Sequence, residues 1–146
     1  MSVLVKKTRQ DIKSVVVDAA KKAISNGTLT EADITDFIIE SPSDRSHGDF
    51  AVNAAMAWAG VFRKSPLQIA SAILDNIDIT NTYIDRAEVA GPGFINFYLN
   101  NEYYADVVSE IIDKALYLHL IANLIFYITY KRSLHIFFLR FLCTNI

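Results

Sequence analysis

The sequence predicts an α+β domain, a small antiparallel β-sheet with helices packed on one face. Three observations predict it. Residues 3–24 repeat apolar side chains at helical spacing, and residues 83–99 alternate on both sides of a glycine–proline corner. Three further helical patterns lie before and after that corner, over residues 50–62, from Ser65 onwards and over residues 101–114. A length of 146 residues suits one such domain with a sizeable core.

The net charge of −2 conceals a break in the chain. Residues 1–114 hold all sixteen acidic side chains and eleven basic ones, a balance of −5. Residues 115–146 hold Lys131, Arg132 and Arg140 with no acidic residue, a balance of +3, and are far richer in Leu, Ile, Phe and Tyr. Two pieces are therefore expected, a domain over residues 1–114 and an apolar tail over residues 115–146. An acidic domain makes no general electrostatic case for nucleic acid, because strong non-specific binders are basic. His47, His119, His135 and the single Cys143 are too widely spaced for a metal site or a disulfide framework.

Along residues 3–24, Val5, Ile12, Val15, Val16, Ala19 and Ala23 form the apolar stripe of an amphipathic helix, with Lys6, Lys13, Asp18 and Lys22 between them. Asn26-Gly27 stops it. Charges run through this segment, so it has no apolar h-region and does not read as a signal peptide. Residues 29–36 form a polar connector, Phe37-Ile38-Ile39 a short strand, and residues 41–49 a loop. His47 stands near Asp44 and Asp49, but no nucleophile or second catalytic group accompanies them, so no catalytic residue is assigned. Asp49 is expected to cap the next helix, with Gly48 permitting the bend. Residues 50–62, almost apolar all round and including Met56 and Trp58, read as a buried helix. Arg63 and Lys64 at its end suit the helix dipole better than they suit phosphates. Ser65 and Pro66 start another helix as N-cap and first residue, with Ile69, Ala70, Ile73 and Leu74 inward. After the hairpin, Asn100 or Asn101 caps a helix expected to reach about Lys114.

The hairpin carries the candidate binding residues. Pro92 fixes its own φ, and Gly91 and Gly93 can take the positive φ of a tight reversal. A three-residue loop that pairs Ala90 with Phe94 sets Glu88 opposite Asn96 and Arg86 opposite Tyr98. Ile95, Phe97 and Leu99 then share an apolar face with Ala87 and Val89, while Arg86, Glu88, Phe94, Asn96 and Tyr98 share the other. Aromatic rings and an amide in the open suit the stacking and hydrogen bonding of unpaired bases. Exposed aromatics are also common on sheets that bind nothing.

The ordered series His47-Gly48-Asp49-Phe50-Ala51, Asn53, Ala55-Met56, Arg63-Lys64-Ser65-Pro66, Ile69-Ala70 and Glu88-Val89-Ala90-Gly91-Pro92-Gly93-Phe94-Ile95-Asn96-Phe97 is more specific. Across residues 1–114 it resembles the N-terminal additional domain of arginine–tRNA ligases (arginyl-tRNA synthetases). The resemblance implies an α+β module that leans on the elbow of tRNA and contacts its D-loop. It places the aromatic and the amide that meet a D-loop nucleotide at Phe94 and Asn96. Tyr98, Arg86 and the corner residues Gly91, Pro92 and Gly93 complete the candidate tRNA-binding set. The implied partner is tRNA, held weakly by this chain alone, and the implied location is cytoplasmic.

Beyond residue 114 the chain departs from that family. No His-Ile-Gly-His-like motif, Lys-Met-Ser-Lys-Ser-like loop or helical anticodon-binding domain follows. The expectation is a truncated chain that binds no cofactor, lacks sites for the ATP and arginine of the full-length enzyme, and does not aminoacylate alone. A separately encoded catalytic chain is a second candidate partner. Residues 115–130, sixteen without a formal charge, fall short of the roughly 20 that span a bilayer, and His119 and Asn123 lie among them. The abrupt change of composition fits translation out of frame, so a non-native tail is expected and a membrane partner is not. The alternative is a stand-alone protein-interaction or membrane-anchored module, with the tail as its attachment.

Overall fold

The computed structural model describes the backbone of residues 2–144 and the side chains of residues 2–129. Helix α1 (Val3–Ser25) is followed by strand β1 (Ile39–Glu40), a 3-10 turn (Arg45–His47) and strand β2 (Phe50–Val52). Helices α2 (Ala54–Phe62) and α3 (Pro66–Asp75), strands β3 (Ile84–Ala90) and β4 (Phe94–Leu99), and helix α4 (Asn101–Thr144) complete the order. The strands form one antiparallel sheet in the order β1-β2-β4-β3. This is the expected α+β class. The chain divides into two compact units, one up to Val107 and one from Val108 onwards.

In the first unit, local signals set the helices and one core holds them. The Ser2 hydroxyl accepts the Leu4 N–H at 3.1 Å and starts α1, which buries Thr8, Ile12, Val16, Ala19, Ala20 and Ala23 along one stripe. Ser65 and Gln68 form a reciprocal capping box at the start of α3, with Pro66 as its first residue. Helices α2 and α3 pack on the sheet, and α1 packs on α3. Trp58, Phe62, Ile69, Ile73, Ile95 and Phe97 are at most 2% exposed and fill the space between these layers. Each such side chain contributes about 1.5–3 kcal/mol by leaving water.

Residues 50–62 are not one helix. Phe50, Ala51 and Val52 form β2, paired with β4 through Phe50↔Phe97, Ala51↔Asn96 and Val52↔Ile95. An apolar run without polar punctuation suits a buried strand as well as a buried helix, and here the partner strand decides. Phe50 and Val52 face the core while Ala51 faces outward. Helix α2 begins only at Ala54. Asn53 gives it no side-chain cap, because its Oδ1 accepts the Ile38 N–H at 2.8 Å. The strand expected at residues 37–39 is displaced: Phe37 enters the core edge-on to Trp58, with ring centroids 5.3 Å apart, and β1 is Ile39–Glu40. At α4, Asn100 supplies the cap, its Oδ1 accepting the Tyr103 N–H at 3.0 Å. That helix does not end near Lys114. It runs to Thr144, since no Gly or Pro follows Gly93 to break it.

Candidate nucleic-acid interface

The β3–β4 hairpin has the expected register, Ala90↔Phe94, Glu88↔Asn96 and Arg86↔Tyr98. Its corner is seated on the start of α3. Gly93 has φ 127°, and a Cβ there would lie 2.6 Å from Pro66 Cβ, so only glycine fits. This fixes the chain immediately before Phe94.

The loop before β2 lies along β4. Asp44 caps the 3-10 turn, its carboxylate accepting the Ser46 N–H at 2.9 Å, and that amide holds the carboxyl below its usual range. Gly48 has φ 81°, and a Cβ on it would sit 2.6 Å from the Phe97 carbonyl oxygen. Asp49 does not cap α2. Its N–H donates to the Phe97 carbonyl at 2.8 Å, and its carboxylate accepts the Leu99 N–H at 2.8 Å and the Tyr104 hydroxyl. With β2 in the place expected for a helix start, no helix N-terminus is there to cap. Burial first, and then the Asp49 carboxylate, push the Tyr104 hydroxyl up to about 12. The Tyr98 hydroxyl donates to the Ser46 carbonyl at 2.9 Å and ties the same loop to the outer face of β4.

Between this loop and the hairpin lies a pocket of about 290 Å³, lined by Glu40, Pro42, His47, Ala51, Ala90, Gly91, Phe94 and Asn96. Strand pairing places Glu40, Ala51, Asn96 and Glu88 in one row across the sheet, and the small Ala51 opens the space between Glu40 and Asn96. Asn96 is therefore not in the open. Strands on both sides leave it 5% exposed. Among the described residues no group hydrogen-bonds its carboxamide, so both a donor and an acceptor remain for whatever enters the pocket.

Of the residues singled out from sequence, the pocket brings together Phe94, Asn96 and Gly91. Pro92 is exposed outside the lining, and Gly93 turns inward against Pro66. Arg86 lies 3.7 Å over the Tyr98 ring and its Nε donates to Glu88 at 2.8 Å, a bond that raises the guanidinium pKa further. Arg86 and Tyr98 form a stacked pair on the same face and do not line the pocket. The sequence alone does not single out Glu40, Pro42, Ala51 or Ala90 for this pocket, and it offers His47 only for acid–base chemistry. The signal lies in residues 50–52, which as a strand set Ala51 beside Asn96 and complete the row.

Comparison with known proteins bears on the family and the fold. The family described as Arginyl tRNA synthetase N terminal domain matches residues 10–99. The arginine–tRNA ligase of Acetivibrio thermocellus is 44% identical over 111 residues, covering 76% of this chain and 20% of that protein. That of Ruminiclostridium cellulolyticum is 43% identical over 103 residues, covering 70% of this chain and 18% of that protein. The chain thus spans about a fifth of the length of these relatives. The solved arginyl-tRNA synthetase from Plasmodium falciparum shares the fold, with a TM-score of 0.50 at 18% identity over 64% of this chain and 16% of that one. With the hairpin and most of the core inside a match that covers more than half of its residues, the chain belongs to the arginyl-tRNA synthetase N-terminal domain family.

Proposed function

We propose that this domain contacts tRNA for an arginine–tRNA ligase, taking one unstacked D-loop nucleotide into the pocket beside Phe94. The observation that carries the reading is the Asn96 carboxamide, nearly buried and unpartnered among the described residues, at a pocket wall shared with an aromatic ring. A base stacked on Phe94 gains about 1–3 kcal/mol, and Asn96 offers its edge both a donor and an acceptor. A pocket of about 290 Å³ lies at the small end of ligand sites, which suits one base and excludes a helix. Both curated relatives described above are arginine–tRNA ligases, which supports attachment of arginine to tRNA as the process served; a cytoplasmic location is part of the same proposal. The ATP and arginine chemistry is assigned to a catalytic domain outside residues 1–114, which a separately encoded chain could supply.

Affinity in isolation is expected to be low. Residues 1–114 carry −5, and phosphate contacts supply most non-specific affinity. Gel shifts at low salt should need protein above the micromolar range, and a nanomolar complex would contradict the electrostatics. The direct test places Phe94→Ala and Asn96→Ala in an intact arginine–tRNA ligase carrying this domain. Each should weaken tRNA binding roughly tenfold or more with little change in melting temperature. Unchanged binding in both would remove the pocket from tRNA recognition.

A further inference from the structure

Helix α4 runs unbroken from Asn101 to Thr144, through the boundary at which the charge pattern changes. Between Lys114 and Lys131 the sequence has no formal charge. At 1.5 Å per residue that step covers about 26 Å, against about 30 Å for the hydrocarbon of a bilayer. The sixteen uncharged residues alone fall short, but the helix does not stop where they do. Val108, Ile111 and Ile112 extend its apolar surface, each more than half exposed. Among the described residues, Asn101–Thr129 is a helix long and apolar enough, by length and composition, to cross a membrane.

Three features favour lipid over a protein partner. Leu116, Leu118, Leu120, Leu124, Phe126 and Ile128 are each more than half exposed, and at 100° per residue they point to all sides of the helix. A second helix would cover one side and leave the others in water, whereas lipid covers them all. The polar side chains are largely satisfied within the helix: His119 and Asn123 hydrogen-bond each other at 3.1 Å, and the Thr129 hydroxyl donates to the Ile125 and Phe126 carbonyls at 2.9 Å. Tyr117 and Tyr127 stand near the two ends of the uncharged stretch, where tyrosine favours the lipid–water boundary.

We propose that α4 carries this chain into a lipid bilayer, with the uncharged residues 115–130 at the centre of the crossing and the helix continuing on both sides of them. Such behaviour follows from composition and helix continuity and is indifferent to whether the tail is inherited or out of frame. It also stands independently of the tRNA reading, which concerns the first unit.

The test is cell-free synthesis of the full chain with phosphatidylcholine vesicles, with mixed phosphatidylcholine–phosphatidylglycerol vesicles, and without lipid, followed by flotation and an alkaline wash. The full chain should float with both kinds of vesicle and resist the wash. A double variant, Leu120→Glu with Leu124→Glu, should lose flotation, since each charge near the bilayer centre lowers insertion roughly a hundredfold. Release of the chain by the wash would overturn a spanning helix. So would a chain that stays out of the lipid fraction, either as a defined oligomer, meaning that a second copy covers α4, or as an aggregate. Undiminished flotation of the double variant would show that another segment binds the lipid.

Discussion

Phe97 and Phe94 are the same residue type on one strand, three positions apart, and the structure puts them to opposite uses. Phe97, with Ile95, points between the sheet and helices α2 and α3 and is fully buried. Phe94 points the other way, half-buried in the wall of a pocket that also contains Asn96. The inner face is filled by apolar side chains from α2 and α3, so its energy goes into stability. The outer face has only the loop before β2 against it, so its rings and amide are left partly unmatched. What separates a core residue from a binding residue here is which layer covers the face.

That contrast can be broken by mutation. Trp58 is the sole tryptophan and lies in the core, so its emission during urea unfolding reports on the first unit alone. Phe97→Ala should have the largest effect, a loss of about 3–5 kcal/mol in unfolding free energy. A loss below about 1 kcal/mol would mean the inner face is not the core. Gly48→Ala comes next. It forces a side chain into a positive-φ position 2.6 Å from the Phe97 carbonyl, and should cost about 1–3 kcal/mol while displacing the loop that forms one pocket wall. Phe94→Ala should reverse the pattern of Phe97→Ala, costing about 1–3 kcal/mol in tRNA binding with little change in the Trp58 transition. If Phe94→Ala unfolds the unit and spares binding, the two faces have been assigned the wrong way round.

Smaller effects test the loop that divides the faces. Asp49→Asn weakens the acceptor for both the Leu99 N–H and the Tyr104 hydroxyl, and about 1 kcal/mol of stability should go with it. Burial of the Tyr104 hydroxyl, and then the same contact, predict a pH dependence. The Tyr104 hydroxyl titrates near 10 when unfolded and at about 12 when folded, so the folded state favours the neutral phenol. Its contribution is complete below pH 10 and is lost as the pH rises toward 12. Urea midpoints measured across that range should fall more steeply for the natural chain than for Tyr104→Phe. Equal slopes would mean that neither burial nor Asp49 holds the Tyr104 hydroxyl in its neutral form.

Much of this protein follows from local sequence. The glycine–proline corner and the alternation around it set the register of β3 and β4, because a one-residue slip would turn Ile95 and Phe97 out of the core. Ser65, Pro66 and Gln68 specify the start of α3 for equally local reasons, as do Ser2 for α1 and Asn100 for α4. Other features needed the assembled structure. Phe50-Ala51-Val52 has no polar residue to reveal its period, and it is a strand because β4 offers a free edge to pair with. Asp49, beside it, bonds the end of β4 because that pairing brings Leu99 within reach. The pocket follows from the same event, since Ala51, Glu40 and His47 meet Phe94 and Asn96 only once β1 and β2 lie beside the hairpin. Sequence by itself determined the periodicities, caps and corner, each a contest among neighbouring groups. Tertiary structure alone decided which apolar run became a strand and which amide was buried, because pairing energy between distant segments outweighs a local preference that was nearly balanced.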